Sequence, residues 1–204
     1  MGNKATTLEE MEASIGFVSY QPTKPVKLRV PTSPVEADMP QLESLSKKFE
    51  QAGKRYGVPA EVLAGIASRE SRAGKHLTRE GYDPGKKAYG VMQIDERFHK
   101  RRGSKPDSQE HIDQAAEILA NNKKAIDKDK RFVKWTEEQR MQASVAAYNM
   151  GLGNVKTWKN LDVGTTGGDY SKDVMLRSKA FSALRTKTMP ASEYIADQRS
   201  PSGR

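Results

Sequence analysis

The chain contains no cysteine. No disulfide can staple it, and no thiolate can act as nucleophile or metal ligand. Histidine is scarce: His76, His99 and His111 show no HxH or HExxH spacing, so a histidine-based metal site is not expected. GYDPGKK at 81–87 lacks the spacing of a phosphate loop. GLGNVK at 151–156 is not GxGxxG, and no strand leads into it. No GxSxG elbow occurs. Serine, metal and nucleotide chemistries therefore lack support, and no cofactor is expected. No stretch is long and apolar enough to span a bilayer, and the opening MGNKATTLEEMEAS lacks the apolar centre of a signal peptide. The residues alone suggest a soluble protein made in the cytosol, with no visible export route.

What is present is positive charge. The 204 residues carry 35 Lys and Arg against 26 Asp and Glu, a formal net charge of +9. That surplus favours polyanionic partners, whether nucleic acid, anionic membrane or cell-wall polymer, without choosing among them. The basic run around KRRGSKP at 100–106 interleaves few aromatic rings, which suits a solvated loop better than a nucleic-acid platform. Met1-Gly2 with Thr6 fits the short N-myristoylation pattern.

The length suits one domain with tails. Residues 1–37 are rich in proline and poorly patterned, so an extended N-terminal arm is expected. From Pro40, Leu42, Leu45, Phe49, Ala52 and Tyr56 recur at helical spacing. Gly57 closes that helix and Pro59 opens the next. Ala88 to Asp95 has the look of a short strand, with Gln93 and Asp95 on one face. Asp107, with Glu110 three residues on, marks the start of a helix through Ile126. Thr136 to Gln139 has the form of a capping box for the helix ending near Gly151. A short helix near Asn154 to Trp158 and a last helix from Tyr170 follow. The stretch 186–204 is expected to be a flexible tail. The sum is an α+β domain over 38–185, mostly α-helical, with a small antiparallel sheet.

Carboxylates remain as candidates for chemistry. Leu63, Ile66, Ala67 and Glu70 share one helix face, apolar except for Glu70. Desolvation and the negative end of the helix dipole both raise the pKa of a carboxyl group there, as a general acid requires. The competing reading is an exposed ion pair of Glu70 with Arg69 or Arg72. Asp83 and Asp95 are candidate bases, and each can equally be a turn cap. Tyr148 and Asn149 suit a cleft or, more commonly, a core tyrosine and a helix-ending asparagine. Glycosidic cleavage needs one protonated and one ionised carboxyl group flanking the sugar.

Four segments, SRESRAGK at 68–75, YGVMQID at 89–95, AAYNMGLGNV at 146–155 and DVGTTGGDYSKDV at 162–174, together resemble the goose-type lysozymes. The resemblance covers about residues 38 to 185 and is strongest to fish forms, where cysteines and signal peptides can be absent. It implies a lysozyme-like fold with the sheet beside the cleft. It also implies an antibacterial glycoside hydrolase that cuts the β-1,4 link between N-acetylmuramic acid and N-acetylglucosamine of peptidoglycan. On this resemblance Glu70 is the general acid, and Asp95 and Asp83 assist the water of an inverting reaction. Gln93, His99, Asn121, Tyr148 and Asn149 line the sugar cleft, and Tyr170 orients Glu70. The family implies action outside the cell by a monomer, with no nucleic-acid partner. A lytic transglycosylase, which needs only one carboxylate, and a non-catalytic binder of peptidoglycan or chitin are the alternatives.

Overall fold

The computed structural model of the protein describes residues 34–85 and 87–188. Of the expected N-terminal arm over 1–37, residues 1–33 lie outside the described residues, as do the myristoylation pattern and the tail beyond 188, while residues 34–37 are helical rather than extended.

Among the described residues, five α-helices surround one small hairpin: α1 (Pro34–Tyr56), α2 (Ala60–Ser71), α3 (Gln109–Lys128), α4 (Glu137–Met150) and α5 (Tyr170–Thr188). Strands β1 (Ala88–Tyr89) and β2 (Ile94–Asp95) pair antiparallel, with Ala88 opposite Asp95 and Tyr89 opposite Ile94. The α+β, mainly helical class expected from the sequence holds. Helix α2 is the axis of the domain. It packs between α1 and α5, and Val62 through Ser68 are buried on every side.

Helix α1 begins at Pro34, ahead of the expected boundary. Proline is tolerated in a first turn, where its missing N–H had no partner to lose. Pro40 lies inside the helix and removes one internal hydrogen bond. The buried stripe Val35, Met39, Leu42, Leu45, Phe49 and Ala52 outweighs that loss. Helix α3 is capped by Ser108, whose Oγ accepts from His111 N, rather than by Asp107. The capping box is present as read: Thr136 Oγ1 accepts from Gln139 N, and Gln139 Oε1 accepts from Thr136 N. The segment after Gly151 forms a single 3₁₀ turn at Leu152–Asn154 instead of a helix through Trp158. Helix α5 continues to Thr188, past the expected start of the tail at residue 186.

The 88–95 segment corrects the sequence reading most. It is not one strand. Gly90 at φ +75° and Gln93 at φ +49° break it into two short strands around a four-residue turn. Gly90 is required there: a Cβ would lie 2.2 Å from His111 Nε2. Tyr89, Val91, Met92 and Ile94 are all buried, which strict alternation would forbid.

Gly65 sits mid-helix for a packing reason. A Cβ there would lie 2.3 Å from Ser178 Oγ and 2.6 Å from the Val174 carbonyl oxygen of α5. In an open helix, Gly→Ala stabilises by about 1 kcal/mol. Gly65→Ala is expected to destabilise instead, by roughly 1–3 kcal/mol, lowering the melting temperature by several degrees. A melting temperature at or above wild type would show that α2 and α5 have room to separate.

Candidate active site

Helix α2 ends in an unusual way beside the site. Arg72 and Ala73 both adopt left-handed backbone, at φ 55° and 54°. Their N–H groups close the helix on Ser68 O and Ala67 O. The Arg72 conformation is held by its side chain, whose Nε donates to both oxygens of the buried Asp38 at 2.8 and 2.9 Å. Ser68 Oγ also donates to Asp38, so the buried carboxylate is well satisfied. On the other flank, Arg69 donates to Asp173 and Asp169, each at 2.8 Å. Arg69 and Arg72, one and two residues from Glu70, are thus committed elsewhere, and the exposed ion-pair reading of Glu70 does not hold.

Glu70 is half-buried on the wall of a cavity of about 610 Å³. Its carboxyl Oε1 accepts from Tyr170 Oη at 2.5 Å. Burial pushes its pKa up to about 7, against the opposing effects of the Tyr170 hydroxyl and the Arg69 charge. Tyr170 is itself buried beneath Glu70 and does not line the cavity. The 162–174 segment positions it. Asp162 accepts from Ser171 N at 2.8 Å and Lys172 N at 3.2 Å, satisfying orphan donors at the start of α5.

The same cavity is lined by Asp83, Gln93, Asp95, His99, Tyr148 and Asn149. Asp83 and Asp95 differ from Glu70 in kind. Asp83 accepts three backbone N–H bonds, from Ala88, Lys87 and Gly85, which hold its pKa below the usual range. Asp95 is chelated by the Arg97 guanidinium, with Nη2 at 2.6 Å, and is lowered for that reason first. The hairpin turn is fixed from three sides. Ser71 Oγ donates to Val91 O, Met92 N donates to His111 Nε2, and Tyr148 Oη donates to Met92 O. Gln93 Nε2 donates back to Gly90 O. Asn149 Oδ1 accepts from Thr166 N. A smaller cavity, of about 300 Å³, shares Glu70, Asp83 and Gln93 and extends to His76 and Leu77.

Asn121 does not join them. It is exposed, and Asn122 lines the cavity in its place. Ile118 and Asn122 are one helical turn apart on α3, while Asn121 is rotated about 100° toward solvent. The i, i+4 relation to Ile118 was the available signal. Phe98, Met150 and Thr166 also line the cavity and were not anticipated. Among the described residues, no group of acidic or histidine side chains is arranged to hold a metal.

The model of the family Lysozyme g matches residues 21–184. The chain is 38% identical to lysozyme g of Casuarius casuarius over 146 residues, covering 72% of this chain and 77% of that one. It is 39% identical to lysozyme g of Cyprinus carpio over 154 residues, covering 76% and 81%. It is 41% identical to that of Epinephelus coioides over 152 residues, covering 70% and 76%. The chain belongs to the lysozyme g family. As a member of a family of lysozymes it is a glycoside hydrolase, and a cavity holding one raised and two lowered carboxyl groups suits lysozyme chemistry.

The raised pKa has a consequence for stability. Between pH 4.5, the ordinary value, and about 7, the folded chain keeps a proton on Glu70 that the unfolded chain has released. Stability from this group is therefore full below pH 4.5 and is lost as pH rises through 7. Glu70→Gln is expected to stabilise the protein at pH 8 by roughly 2–3 kcal/mol, with little effect below pH 4. Thermal melts at the two pH values check this, and equal shifts at both would contradict it.

Proposed function

We propose that this enzyme hydrolyses the β-1,4 bond between N-acetylmuramic acid and N-acetylglucosamine in bacterial peptidoglycan, with inversion. Glu70 protonates the leaving oxygen. Asp95 and Asp83 assist the attacking water on the opposite side of the sugar. The observation that carries the reading is the contrast in protonation: Glu70 is raised to about 7 while Asp83 and Asp95 are both lowered. An acid that holds its proton near neutrality, facing carboxylates that stay ionised, is the division of labour that glycoside cleavage requires.

Each remaining residue takes a role consistent with its contacts. Tyr170 orients the Glu70 carboxyl group through its hydrogen bond. Gln93, His99, Tyr148, Asn149 and Asn122 offer polar groups to the sugar N-acetyl and hydroxyl substituents. Backbone N–H groups fix Asp83 rigidly. Asp95 depends on the guanidinium of Arg97, which is largely exposed. In this reading the enzyme works as a monomer without cofactor, outside the producing cell, against bacterial walls.

Glu70→Gln is expected to lower kcat/KM on isolated peptidoglycan by about 10²–10⁴-fold, the span of general acid catalysis. In the wild type, kcat/KM is expected to fall as pH rises through about 7, with its acid limb below the ordinary carboxylate range. The products should carry reducing ends, first formed as the α-anomer. Full activity in Glu70→Gln would remove Glu70 from the chemistry. A 1,6-anhydro end would identify a lytic transglycosylase, and an initial β-anomer would identify retention.

A further inference from the structure

A second feature lies apart from the cavity. The chain's only two tryptophans, Trp135 and Trp158, meet edge-on with ring centroids 5.8 Å apart. Trp135 also packs on Phe132 at 4.5 Å. These contacts join the segment after α3, which carries a 3₁₀ turn at Lys130–Phe132, to the loop after α4. Phe132 anchors the joint in a small core with Ile126, Val155 and Leu161. Outside that core, Val133 is 73% exposed and Trp158 40%. None of these residues lines the cavity.

Five exposed lysines lie on these two segments or at the end of α3 leading into the first: Lys128, Lys130, Lys134, Lys156 and Lys159. Among the described residues, none of them forms an ion pair. Lys156 donates only to a backbone carbonyl, Gly153 O. The nearby acids are already committed. Asp129 chelates Arg131 at 2.6 Å. Asp127 and Glu137 are shared between Lys123 and Arg140. Asp162 is consumed at the start of α5. The result is a cationic surplus from which apolar side chains protrude.

We propose that this tryptophan–lysine face docks the enzyme on an anionic lipid bilayer. Trp158 and Val133 enter the interfacial zone, and the five lysines meet lipid phosphates. A soluble polyanion is the lesser fit. Bidentate phosphate recognition favours arginine, and Arg131, the one arginine on these two segments, is bound to Asp129. Lysine stems instead lie along apolar surface while their heads reach outward. Tryptophan is the side chain enriched at membrane interfaces, and clustered lysines next to insertable side chains supply the two signals that stable surface anchoring takes. This inference does not rest on the proposed reaction.

The two tryptophans report on the face directly. With full-length enzyme and vesicles of phosphatidylcholine containing phosphatidylglycerol, co-sedimentation and a blue shift of tryptophan emission are expected. Neither is expected with phosphatidylcholine alone. Lys130→Ser with Lys134→Ser should weaken partitioning about fivefold per lysine, and Val133→Asp should abolish the blue shift. Turnover of soluble peptidoglycan fragments and an unchanged circular-dichroism melt would show each variant folded. Should one fail to fold, Lys156→Ser with Lys159→Ser tests the same charge term. Equal binding to both vesicle types, or folded variants that bind as wild type, would overturn the proposal. So would soluble polyphosphate that binds as tightly, and shifts the emission as far, at equal phosphate concentration.

Discussion

Glu70 stands one residue from Arg69 and two from Arg72, and the chemistry of the cleft depends on neither reaching it. Asp38 of α1 takes Arg72, and Asp173 of α5 takes Arg69. The two ends of this network meet: Ser68 Oγ donates to Asp38, and Arg177, itself bound to Asp173, donates to Ser68. Three helices are thereby tied at the end of α2 around a carboxyl group left to a single tyrosine hydroxyl. Breaking one member would leave a charge unpaired near Glu70, which costs more than the pair contributes. The ion pairs at this end of α2 therefore set the surroundings of Glu70 as well as tying the helices together.

The hairpin is built on a complementary rule. Where Glu70 is deprived of partners, Asp83 and Asp95 are supplied with them, by backbone N–H groups in one case and Arg97 in the other. The turn between the strands stays rigid because Ser71 of α2, His111 of α3 and Tyr148 of α4 each bond its backbone. His111 serves in its neutral form, since burial pushes its pKa down to about 4 and its Nε2 must accept. Burial and hydrogen bonding thus push the pKa of one carboxyl group in the cavity up and hold those of two others down.

Much of the fold was legible in sequence because helices announce themselves. The stripe from Leu42 to Tyr56, the capping box at Thr136 and the run from Tyr170 mark elements whose ends lie within six residues of the observed ones. The hairpin was less legible. Its alternation placed Gln93 and Asp95 together, but the agent is a turn with Gln93 in left-handed backbone, which no local pattern marks. At the site, Glu70 stood out by its apolar helix face. Its release from Arg69 was invisible, because Asp173 lies 104 positions away in the chain. Asn121 and Asn122 differ only in helical phase, which a sequence fixes to within about one residue. The tryptophan–lysine face has no local sequence pattern, because its two halves meet only in the fold, through Trp135 on Trp158 and through the core of Phe132, Val155 and Leu161.

The central claim is that burial, with the neighbouring arginines drawn away, makes Glu70 an acid at neutral pH. The direct test is a titration of the Glu70 carboxyl carbon by NMR, using protein with ¹³C-labelled glutamate and Glu70→Gln to assign the resonance. A midpoint near 7 is expected. A midpoint near 4.5, the ordinary glutamate value, would mean that the cleft does not hold a protonated acid and would contradict the account.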